Sequence, residues 1–595
     1  MALTKAGKIV VVGAILGGLF AGVTIAKNKG LILQKVFGKS QTVGSIDLPT
    51  APANAKNTVP ATTLPSGGEA NVPGPQVRLE IWEWNAQMGL LYANGGKTTV
   101  KGSLMEKGKV NLKLTHQDMT DMMATNLLKF ATEYSKNPAT TEGAHGVVIM
   151  GDGAPAFLAG LNPKLIKQVG PDYRAEIVTS FGYSHGEDAF MGSPEWRAEP
   201  AKAKGSLIAA VIRDGDWNIV VKWAGDNGIQ VNPDETTWDA NAINFVNPTD
   251  YIDASNKYVA GYCEDRAVVV NGTKTGEKKH VCVNGVATWT PGDVIAAQKK
   301  GGLVKIASTK EYSSQMPAVL VVIKKWADDN RPIVDSLINA ANDGADQIKC
   351  YSAALDFAGK VSADVYGDQD GAYWVKYYNG TTETDKSGLS VDLGGSKVNN
   401  LADNLALFGL LDGSVNTLKI VYNTFGGIDV KLYPVLVPSY PNADSVIDVS
   451  FLKDLQSNHK GVIASADVQS YSSTYGISQK VSEKAWAIEF ESGSATLSNR
   501  SARTLDSIAN QAIVATGLRV ALTGYTDNQG NPEANKTLSF ARAQSVKAYL
   551  STKYGTSFPD SRVSVDGKGQ DNPIADNTTA AGRAKNRRVV VLMGK

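Results

Sequence analysis

The residues best placed for ligand chemistry are an aspartate and an arginine near the C-terminus. Asp527 lies in the turn 525–530, directly after the apolar stretch 518–524, which predicts a buried strand. A helix predicted to begin near Glu533 places Asn535, Leu538 and Arg542 close to one face, because they are spaced three, four and seven apart. A carboxylate pairs with an ammonium group, and a guanidinium grips a carboxylate through two hydrogen bonds. The pair therefore suits a zwitterionic amino acid bound at a strand end.

The motifs around this pair follow one another in a fixed order between Ser470 and Lys595. They read AIEFESGSATLSNRS, LRVALTGYTDNQG, NKTLSFARAQSVKAYL, VSVDGKGQDNPIADN and GRAKNRRVVV. This order resembles the OmpA-like family, which includes the C-terminal domain of OmpA, the Pal lipoprotein and the periplasmic part of MotB. The stretch FESGSATL is closest to the MotB form. The resemblance implies an α+β domain that binds peptidoglycan in a bacterial cell envelope.

The resemblance also implies a ligand, the diaminopimelate of the peptidoglycan stem peptide. By the match of positions, Asp527 meets its amino group and Arg542 its carboxylate. Thr526, Asn535, Leu538 and Arg588 complete the pocket. A turn-forming role for Asp527 and a solvated helix face for Arg542 are the alternatives when either residue is taken alone.

Other kinds of chemistry have little support. The sequence has no G-x-S-x-G elbow, no phosphate-binding G-x-x-x-x-G-K-[ST] loop and no Cys/His nucleophile pair. Its five histidines and three cysteines show no zinc spacing, so we expect no metal site and no cofactor. A net charge of +2 gives no case for nucleic-acid binding. We therefore expect a binding protein, not an enzyme.

Residues 77–455 alternate strand-like and helical stretches, which predicts α/β architecture with a parallel sheet. This region is too long for one lobe, so we expect two lobes around a cleft. Stretches such as IWEWNAQMG, LTHQDMTD, IMGDGAPAFLAG, SFGYSHGEDAFMG and VIRDGDWN resemble type II periplasmic substrate-binding proteins of the phosphate, nitrate/sulfonate or thiamine-precursor branch, as found beside ABC transporters.

The predicted cleft would be lined by loops that follow the strands and lead into helix N-termini, a setting for a small anionic or polar ligand. The candidate contacts are Trp84, Asn85, His116, Gln117, Asp152, Gly153, Ser184, His185, Glu187 and Arg213. For several of them a plain structural role is the alternative. The stretch around Asp152 could be a simple turn, and His116 a hydrogen-bonded histidine of the fold.

Two of the three cysteines are predicted to form a disulfide. Cys263 and Cys282 flank a stretch that reads as strand, turn, strand, so a hairpin would bring their side chains together. In an oxidising periplasm the bond would stabilise the fold by about 3 kcal/mol. Two buried thiols are the alternative. Cys350 would be left over and buried.

The N-terminal run 9–26 has no charged residue and sits at the length threshold for a membrane helix. We expect an uncleaved inner-membrane anchor behind a short cytoplasmic tail, 1–8, and a disordered linker, 27–76, after it. A cleaved signal peptide ending at Ala26 is the alternative. Glycines at 13, 17, 18 and 22 suggest a homodimer through the membrane helix, although glycine is also common in such helices.

Taken together, the sequence predicts an α/β protein with a transmembrane helix, a two-lobed domain at 77–455, a linker at 456–469 and an OmpA-like domain at 470–595. We expect a single-pass inner-membrane protein of a Gram-negative bacterium, with most of its chain in the periplasm. Its expected function is to bind peptidoglycan, and it would carry a solute-binding-like sensor or adaptor domain. An ABC-type uptake receptor is one alternative. A MotB-like stator is another, but most stators need an ionisable residue in the span, and 9–26 has none.

Overall fold

The computed structural model describes residues 59–595, except 66, 271, 460–464, 468, 472–475 and 492. The predicted tail 1–8, the predicted membrane helix 9–26 with its glycines, and linker residues 27–58 lie outside the described residues. Within the described ranges, every helix is too short or too polar to cross a bilayer.

Between residues 59 and 458, the described residues form sixteen strands and sixteen α-helices. The strands are β1 (Val77–Ile81), β2 (Leu112–His116), β3 (Gly146–Met150), β4 (Ala175–Ser184), β5 (Ala189–Gly192), β6 (Leu207–Ala209), β7 (Gln230–Val231), β8 (Thr237–Asp239), β9 (Ala242–Val246), β10 (Cys263–Val270), β11 (Thr273–Thr288), β12 (Val304–Ser308), β13 (Pro317–Ile323), β14 (Thr381–Thr384), β15 (Ser390–Leu393) and β16 (Ser396–Val398). The helices are α1 (Met88–Asn94), α2 (Leu104–Lys107), α3 (Thr120–Tyr134), α4 (Ala154–Val169), α5 (Glu195–Ala198), α6 (Gly215–Asp226), α7 (Tyr251–Ala260), α8 (Gly292–Lys299), α9 (Lys324–Asp329), α10 (Arg331–Cys350), α11 (Ser352–Tyr366), α12 (Gly371–Asn379), α13 (Leu401–Leu407), α14 (Thr417–Leu432), α15 (Ala443–Val446) and α16 (Ser450–Asn458).

Two sheets divide this central region into two lobes. The first lobe holds the sheet β16-β4-β13-β3-β1-β2, and the second lobe holds β12-β5-β11-β6-β9-β7. The chain passes between the lobes at 185–188, after β4, and again at 309–316, before β13. We call these two segments the crossings. Paired crossings of this kind leave a cleft between the lobes.

The first sheet is mixed, whereas the sequence predicts a parallel one. β1 pairs in parallel with β2 and β3, but β13 runs antiparallel to both β3 and β4. β13 joins this sheet after the chain has returned from the second lobe. The rule for consecutive parallel strands that are joined by a crossover within one sheet therefore does not apply to it. Its seven residues are all buried, which explains the unbroken apolar run PAVLVVI.

A disulfide joins Cys263 and Cys282 where the sequence predicts one. The two residues face each other across the antiparallel pair β10–β11. Cys350, at the end of α10, is buried and is not part of this bond.

The described residues before β1, which begin at Val59, are held against the central region, although the sequence assigns them to a disordered linker. Val59 packs beside Cys350, the backbone N–H of Thr62 donates to Gln347 Oε1 at 2.9 Å, and Glu69 pairs with Val100. The second predicted linker is also attached, since the Asp467 carboxylate lies 3.4 Å from Lys349 Nζ. Local composition predicts that such a segment buries few of its own side chains. It does not reveal a surface, formed by distant residues, on which the segment can pack.

The C-terminal domain is a four-stranded sheet with helices. Its elements are β17 (Lys480–Trp486), α17 (Ala502–Val514), β18 (Arg519–Gly524), α18 (Pro532–Tyr554), β19 (Val563–Gly567), α19 (Ala580–Asn586) and β20 (Val589–Gly594). The strand order is β17-β20-β18-β19, with β18 and β19 parallel. A Cβ on Gly524 would lie 2.1 Å from the Ser539 carbonyl oxygen, so glycine lets β18 approach α18 closely.

This domain packs directly on the two-lobed region at the second crossing. Ser314 Oγ lies 2.5 Å from Thr516 Oγ1, and Lys595 forms an ion pair with Glu311. A Cβ on Gly517 would lie 2.0 Å from the Lys310 carbonyl oxygen, which shows how closely the two backbones approach. The C-terminal domain therefore rests on a segment that joins the two lobes.

Candidate functional site

The loop after β18 and the first turns of α18 form the predicted pocket of the C-terminal domain. Asn531 caps α18, because its side-chain oxygen accepts from the backbone N–H groups of Glu533 and Ala534, and Pro532 occupies the first helical position. This cap fixes the direction in which the helix leaves the loop. The helix face toward the loop buries Asn535 and Arg542, as the spacing predicts.

Asp527 presents its carboxylate at the end of β18. One oxygen accepts from the backbone N–H of Gln529 at 3.1 Å, and the other accepts from Arg587 Nη1 at 2.7 Å. The residue is only 9% exposed, so its charge is partly shielded from water. A carboxylate with a defined orientation and a replaceable cationic partner is suited to binding an ammonium group.

Arg542 lies on the neighbouring helix and is 8% exposed. Its Nε donates to the Ser494 carbonyl at 3.1 Å, and its guanidinium carbon lies 4.9 Å from the centre of the Phe490 ring. Both partners belong to the FESGSATL motif, which thus forms a wall of the pocket. Burial lowers the pKa of Arg542 and Arg587 lowers it further, whereas Asp527 raises it. The two arginines and one aspartate give the pocket a surplus of positive charge, which favours a carboxylate ligand.

The remaining predicted pocket residues have different tasks. Asn535 Nδ2 donates to the Gln529 carbonyl at 3.0 Å and so braces the loop, and the Thr526 hydroxyl donates to the Asp527 carbonyl at 2.9 Å. Leu538 is half-buried on the same helix. Arg588 stacks on Tyr525, with its guanidinium carbon 3.8 Å from the ring centre, and donates to the Asn572 carbonyl at 3.1 Å. In this state its guanidinium holds the loop together.

Sequence reasoning missed Arg587. This residue, not Arg588, forms the salt bridge with Asp527, and its side chain is 45% exposed. The sequence does contain a signal for this residue, because KNRRVV has two adjacent arginines, Arg587 and Arg588. Arg588 instead stacks on Tyr525, so the two arginines contact different groups.

A second site lies between the lobes of the central region. A cavity of about 380 Å³ is lined by both lobes, including an aromatic wall of Trp82, Tyr251 and Trp289. Tyr251 and Trp289 stack with their ring centres 3.7 Å apart, and Trp82 also stacks on Trp289 with a centre-to-centre distance of 5.7 Å. A cavity of this size fits a small molecule.

The charges on the cavity wall differ from the expectation of an anionic ligand. The lining has the four carboxylates Asp118, Asp121, Asp214 and Asp250 against the two cations Lys164 and Arg213. An aromatic wall with surplus carboxylates favours a cationic or neutral polar ligand. Of the ten candidate contacts predicted from the sequence, Gly153 and Arg213 line this cavity.

Four other candidates hold the crossings in place. Trp84 Nε1 donates to Asp188 at 3.1 Å, Asn85 Nδ2 donates to Glu187 at 2.9 Å, and the Ser184 hydroxyl lies 2.6 Å from that of Thr309. Trp84, Asn85, Ser184 and Glu187 are fully buried. The loop after β1 is thereby tied to the first crossing, and the first crossing to the second. These residues position the lobes and do not line the cavity.

The last four candidates do not line the cavity. Asp152 is buried and accepts from Gln315 Nε2 at 2.7 Å, and burial raises its pKa well above the ordinary range. His185 is bound through its backbone N–H to the Gly395 carbonyl at 2.8 Å. Gln117 accepts from the backbone N–H of Met119 at 3.0 Å. His116 Nε2 lies 2.6 Å from Asp118, which does line the cavity.

An acidic group surrounds this histidine. Glu83, His116 and Asp118 place their ligand atoms within 4.8 Å of one another. The Tyr251 hydroxyl donates to Glu83 Oε2 at 2.5 Å. Burial raises the pKa of Glu83 to about 9, and the nearby Asp368 carboxyl contributes to this rise.

Two buried carboxyls, Asp188 and Asp216, lie within hydrogen-bonding reach of each other near the first crossing. Burial raises the pKa of both, and the charge of Asp188 adds to the rise at Asp216. Two carboxyls this close share a proton, because both cannot be charged without water.

We expect the folded protein to lose stability as the pH rises from about 4 to about 7. In this range the unfolded carboxyls are ionised, with an ordinary pKa of about 3.9, while the folded pair keeps a proton, so rising pH favours unfolding. Asp216→Asn gives Asp188 a permanent amide donor and should flatten this dependence, with a higher melting temperature at pH 8. Thermal melts at pH 5 and pH 8 measure the effect. The exposed Asp560→Asn is the matched control, and equal slopes for both variants would contradict the assignment.

Comparisons with known proteins match the C-terminal domain. Residues 489–587 match the family model described as the OmpA family. "Outer membrane protein A" of Bordetella avium is 41% identical over 102 residues, 17% of this chain and 51% of that protein. "Peptidoglycan-binding protein ArfA" of Mycobacterium tuberculosis is 36% identical over 106 residues, 18% of this chain and 32% of that protein. The matched part thus spans about half or less of these relatives.

The central region has a more distant structural neighbour. The periplasmic nitrate-binding protein NrtA of Synechocystis PCC 6803 is 12% identical, with a TM-score of 0.44, and the match covers 67% of this chain and 93% of that one. A similarity at this level does not assign the central region to a family. The match at 489–587 does identify the C-terminal part of the chain as an OmpA-family domain.

Proposed function

We propose that this protein binds the peptidoglycan of a bacterial cell envelope through the pocket around Asp527 and Arg542. The observation that carries the proposal is the buried Arg542 guanidinium beside an oriented carboxylate at the end of β18. Within the described part of the chain, Arg542 donates to a backbone carbonyl and has no carboxylate in a salt bridge. It is therefore available for the carboxylate of a ligand.

Diaminopimelate in the stem peptide has the required chemistry, an ammonium and a carboxylate on one carbon. Asp527 would bind the ammonium in place of Arg587, and Arg542 would bind the carboxylate. This exchange leaves no buried charge unpaired, because the exposed Arg587 side chain can turn to solvent. The name of the mycobacterial relative, a peptidoglycan-binding protein, supports the same ligand.

We propose a solute-binding role for the two-lobed region. Residues of both lobes line its cavity. The two crossings would act as the hinge by which the lobes close on a ligand. The acidic and aromatic lining favours a cationic or polar solute. Nothing in this arrangement requires catalysis, so the protein acts in this proposal by binding alone.

The apolar run 9–26 supports an anchor in the inner membrane. With the C-terminal domain on peptidoglycan, the two-lobed region would then lie in the periplasm, between membrane and wall. Names such as "Outer membrane protein A" among the relatives support a place in the envelope.

Co-sedimentation of the full chain with purified diaminopimelate-type sacculi tests the proposal. We expect saturable binding that a diaminopimelate-containing stem peptide competes away. The matched lysine-type peptide lacks the side-chain carboxylate and should compete at least tenfold less well. Equal competition by both peptides would contradict the role of Arg542, and the absence of sedimentation would contradict peptidoglycan binding itself.

A further inference from the structure

The acidic group beside the central cavity is built from the ends of two neighbouring strands. β1 and β2 run in parallel, and the last residue of β1, Ile81, pairs with His116. Glu83 follows β1 by two residues, and Asp118 follows β2 by two residues. The parallel register therefore brings a glutamate, a histidine and an aspartate to one sheet edge, where Asp118 lines the cavity.

Glu83 has an oxygen that the surrounding protein does not satisfy. The residue is only 5% exposed, and its Oε1 has no hydrogen-bond partner among the residues the structure describes. Its other oxygen is fixed by the Tyr251 hydroxyl at 2.5 Å. A buried carboxylate oxygen without a donor is costly, and it is normally compensated by an ion, a proton or a water molecule.

The carboxyl of Asp368 lies within hydrogen-bonding reach of Glu83. Two carboxyl oxygens repel each other unless a proton or a cation lies between them. Asp368 is exposed, so it reaches this point from the solvent side. The unpartnered oxygen of Glu83, beside His116 and Asp118, is therefore a position at which a cation can replace that proton.

We propose that Glu83, His116 and Asp118 bind a divalent transition-metal ion at the edge of the cavity. The ligand atoms of these three residues already lie within 4.8 Å of one another. Atoms that share one ion at about 2.1 Å lie at most about 4.2 Å apart, so shifts of well under about 1 Å complete the site. An imidazole nitrogen in the set favours ions such as Zn²⁺ or Mn²⁺ over Ca²⁺.

The groups behind these ligands orient them as metal sites require. The Glu83 backbone N–H donates to Asp118 Oδ1 at 3.0 Å, which leaves Oδ2 facing His116. His116 Nε2 faces Asp118 Oδ2 at 2.6 Å. Nε2 is then the nitrogen available to the ion, in exchange for its contact with Asp118.

Metal titration of the full chain tests this site. After treatment with a chelator and desalting, MnCl₂ is titrated in while free Mn²⁺ is followed by electron paramagnetic resonance, and ZnCl₂ is then added as a competitor. We expect one saturable Mn²⁺ site per chain that Zn²⁺ empties. Glu83→Gln keeps the shape and the Tyr251 bond, and it should weaken Mn²⁺ binding at least tenfold, as should His116→Ala.

His280→Ala is the matched control, because His280 and Asp265 form an exposed histidine–aspartate pair 2.8 Å apart. It should leave the titration unchanged. The proposal is overturned if neither Mn²⁺ nor Zn²⁺ binds saturably, or if Glu83→Gln binds Mn²⁺ as the wild type does. If Ca²⁺ binds more tightly than Mn²⁺, the assignment to a transition-metal ion is wrong. Co-sedimentation with sacculi should be unchanged in all three variants, because it does not depend on this site. A failed metal titration can therefore be distinguished from a failure of the proposed wall binding.

Discussion

Asp527→Asn and Arg542→Lys should each weaken binding of the full chain to sacculi by roughly 10- to 100-fold. Each change removes one charge-assisted contact with the ligand, and such a hydrogen bond contributes about 1.5–3 kcal/mol. Asparagine keeps the shape of Asp527 but cannot balance an ammonium. Lysine keeps the charge of Arg542 but cannot form two parallel bonds to a carboxylate. Binding isotherms on purified sacculi measure both effects.

The controls for this experiment lie on the same domain. Asp560→Asn and Arg500→Ala remove the same kinds of charge from side chains that are 92% and 86% exposed. They should bind like the wild type. Retained binding in both Asp527→Asn and Arg542→Lys, with folding confirmed by circular dichroism, would show that the wall contact lies elsewhere.

The second large effect concerns stability. Trp84→Ala should destabilise the two-lobed region by about 3–5 kcal/mol, the usual range for removing a buried tryptophan. Trp84 is fully buried, and its loss also leaves the buried Asp188 without the Nε1 donor. A domain of 150–250 residues loses about 2–4 °C per kcal/mol, so we expect the melting temperature to fall by roughly 5–10 °C in this larger region.

Trp486→Ala removes a half-buried tryptophan from the C-terminal domain and serves as the comparison. It should change the melting temperature of the two-lobed region little. Arg213→Ala should also be tolerated, because Arg213 lines the cavity and contacts Tyr433 only through a cation–π distance of 5.6 Å. A melting temperature unchanged by Trp84→Ala would show that the crossings do not depend on this residue.

The position of the C-terminal domain gives these two effects a physical connection. This domain contacts the second crossing through Ser314 and Glu311, and lobe closure must move the crossings. If the C-terminal domain binds the wall and the lobes close on a solute, as proposed, the wall contact holds the two-lobed region at a segment about which the lobes move, away from the residues that line the cavity.

The sequence by itself determined the C-terminal domain, the positions of Asp527 and Arg542 on it, and the disulfide. In each case the information is local: Asp527 follows a strand directly, Arg542 is placed by helical spacing from Asn535, and Cys263 and Cys282 flank one hairpin. Strand ends, helix faces and hairpins position residues by short-range geometry, which does not change when the rest of the chain folds.

Only the tertiary structure decided the roles of the central residues. Trp84 and Glu187 follow strands just as cavity residues do, but they are buried at the crossings because the two lobes meet there. The group of Glu83, His116 and Asp118 forms only where β1 and β2 pair, so no local spacing could reveal it. Contacts between residues of different strands and lobes depend on how whole sheets pack. Sequence periodicity cannot predict them, because it indicates only which face of each element is buried.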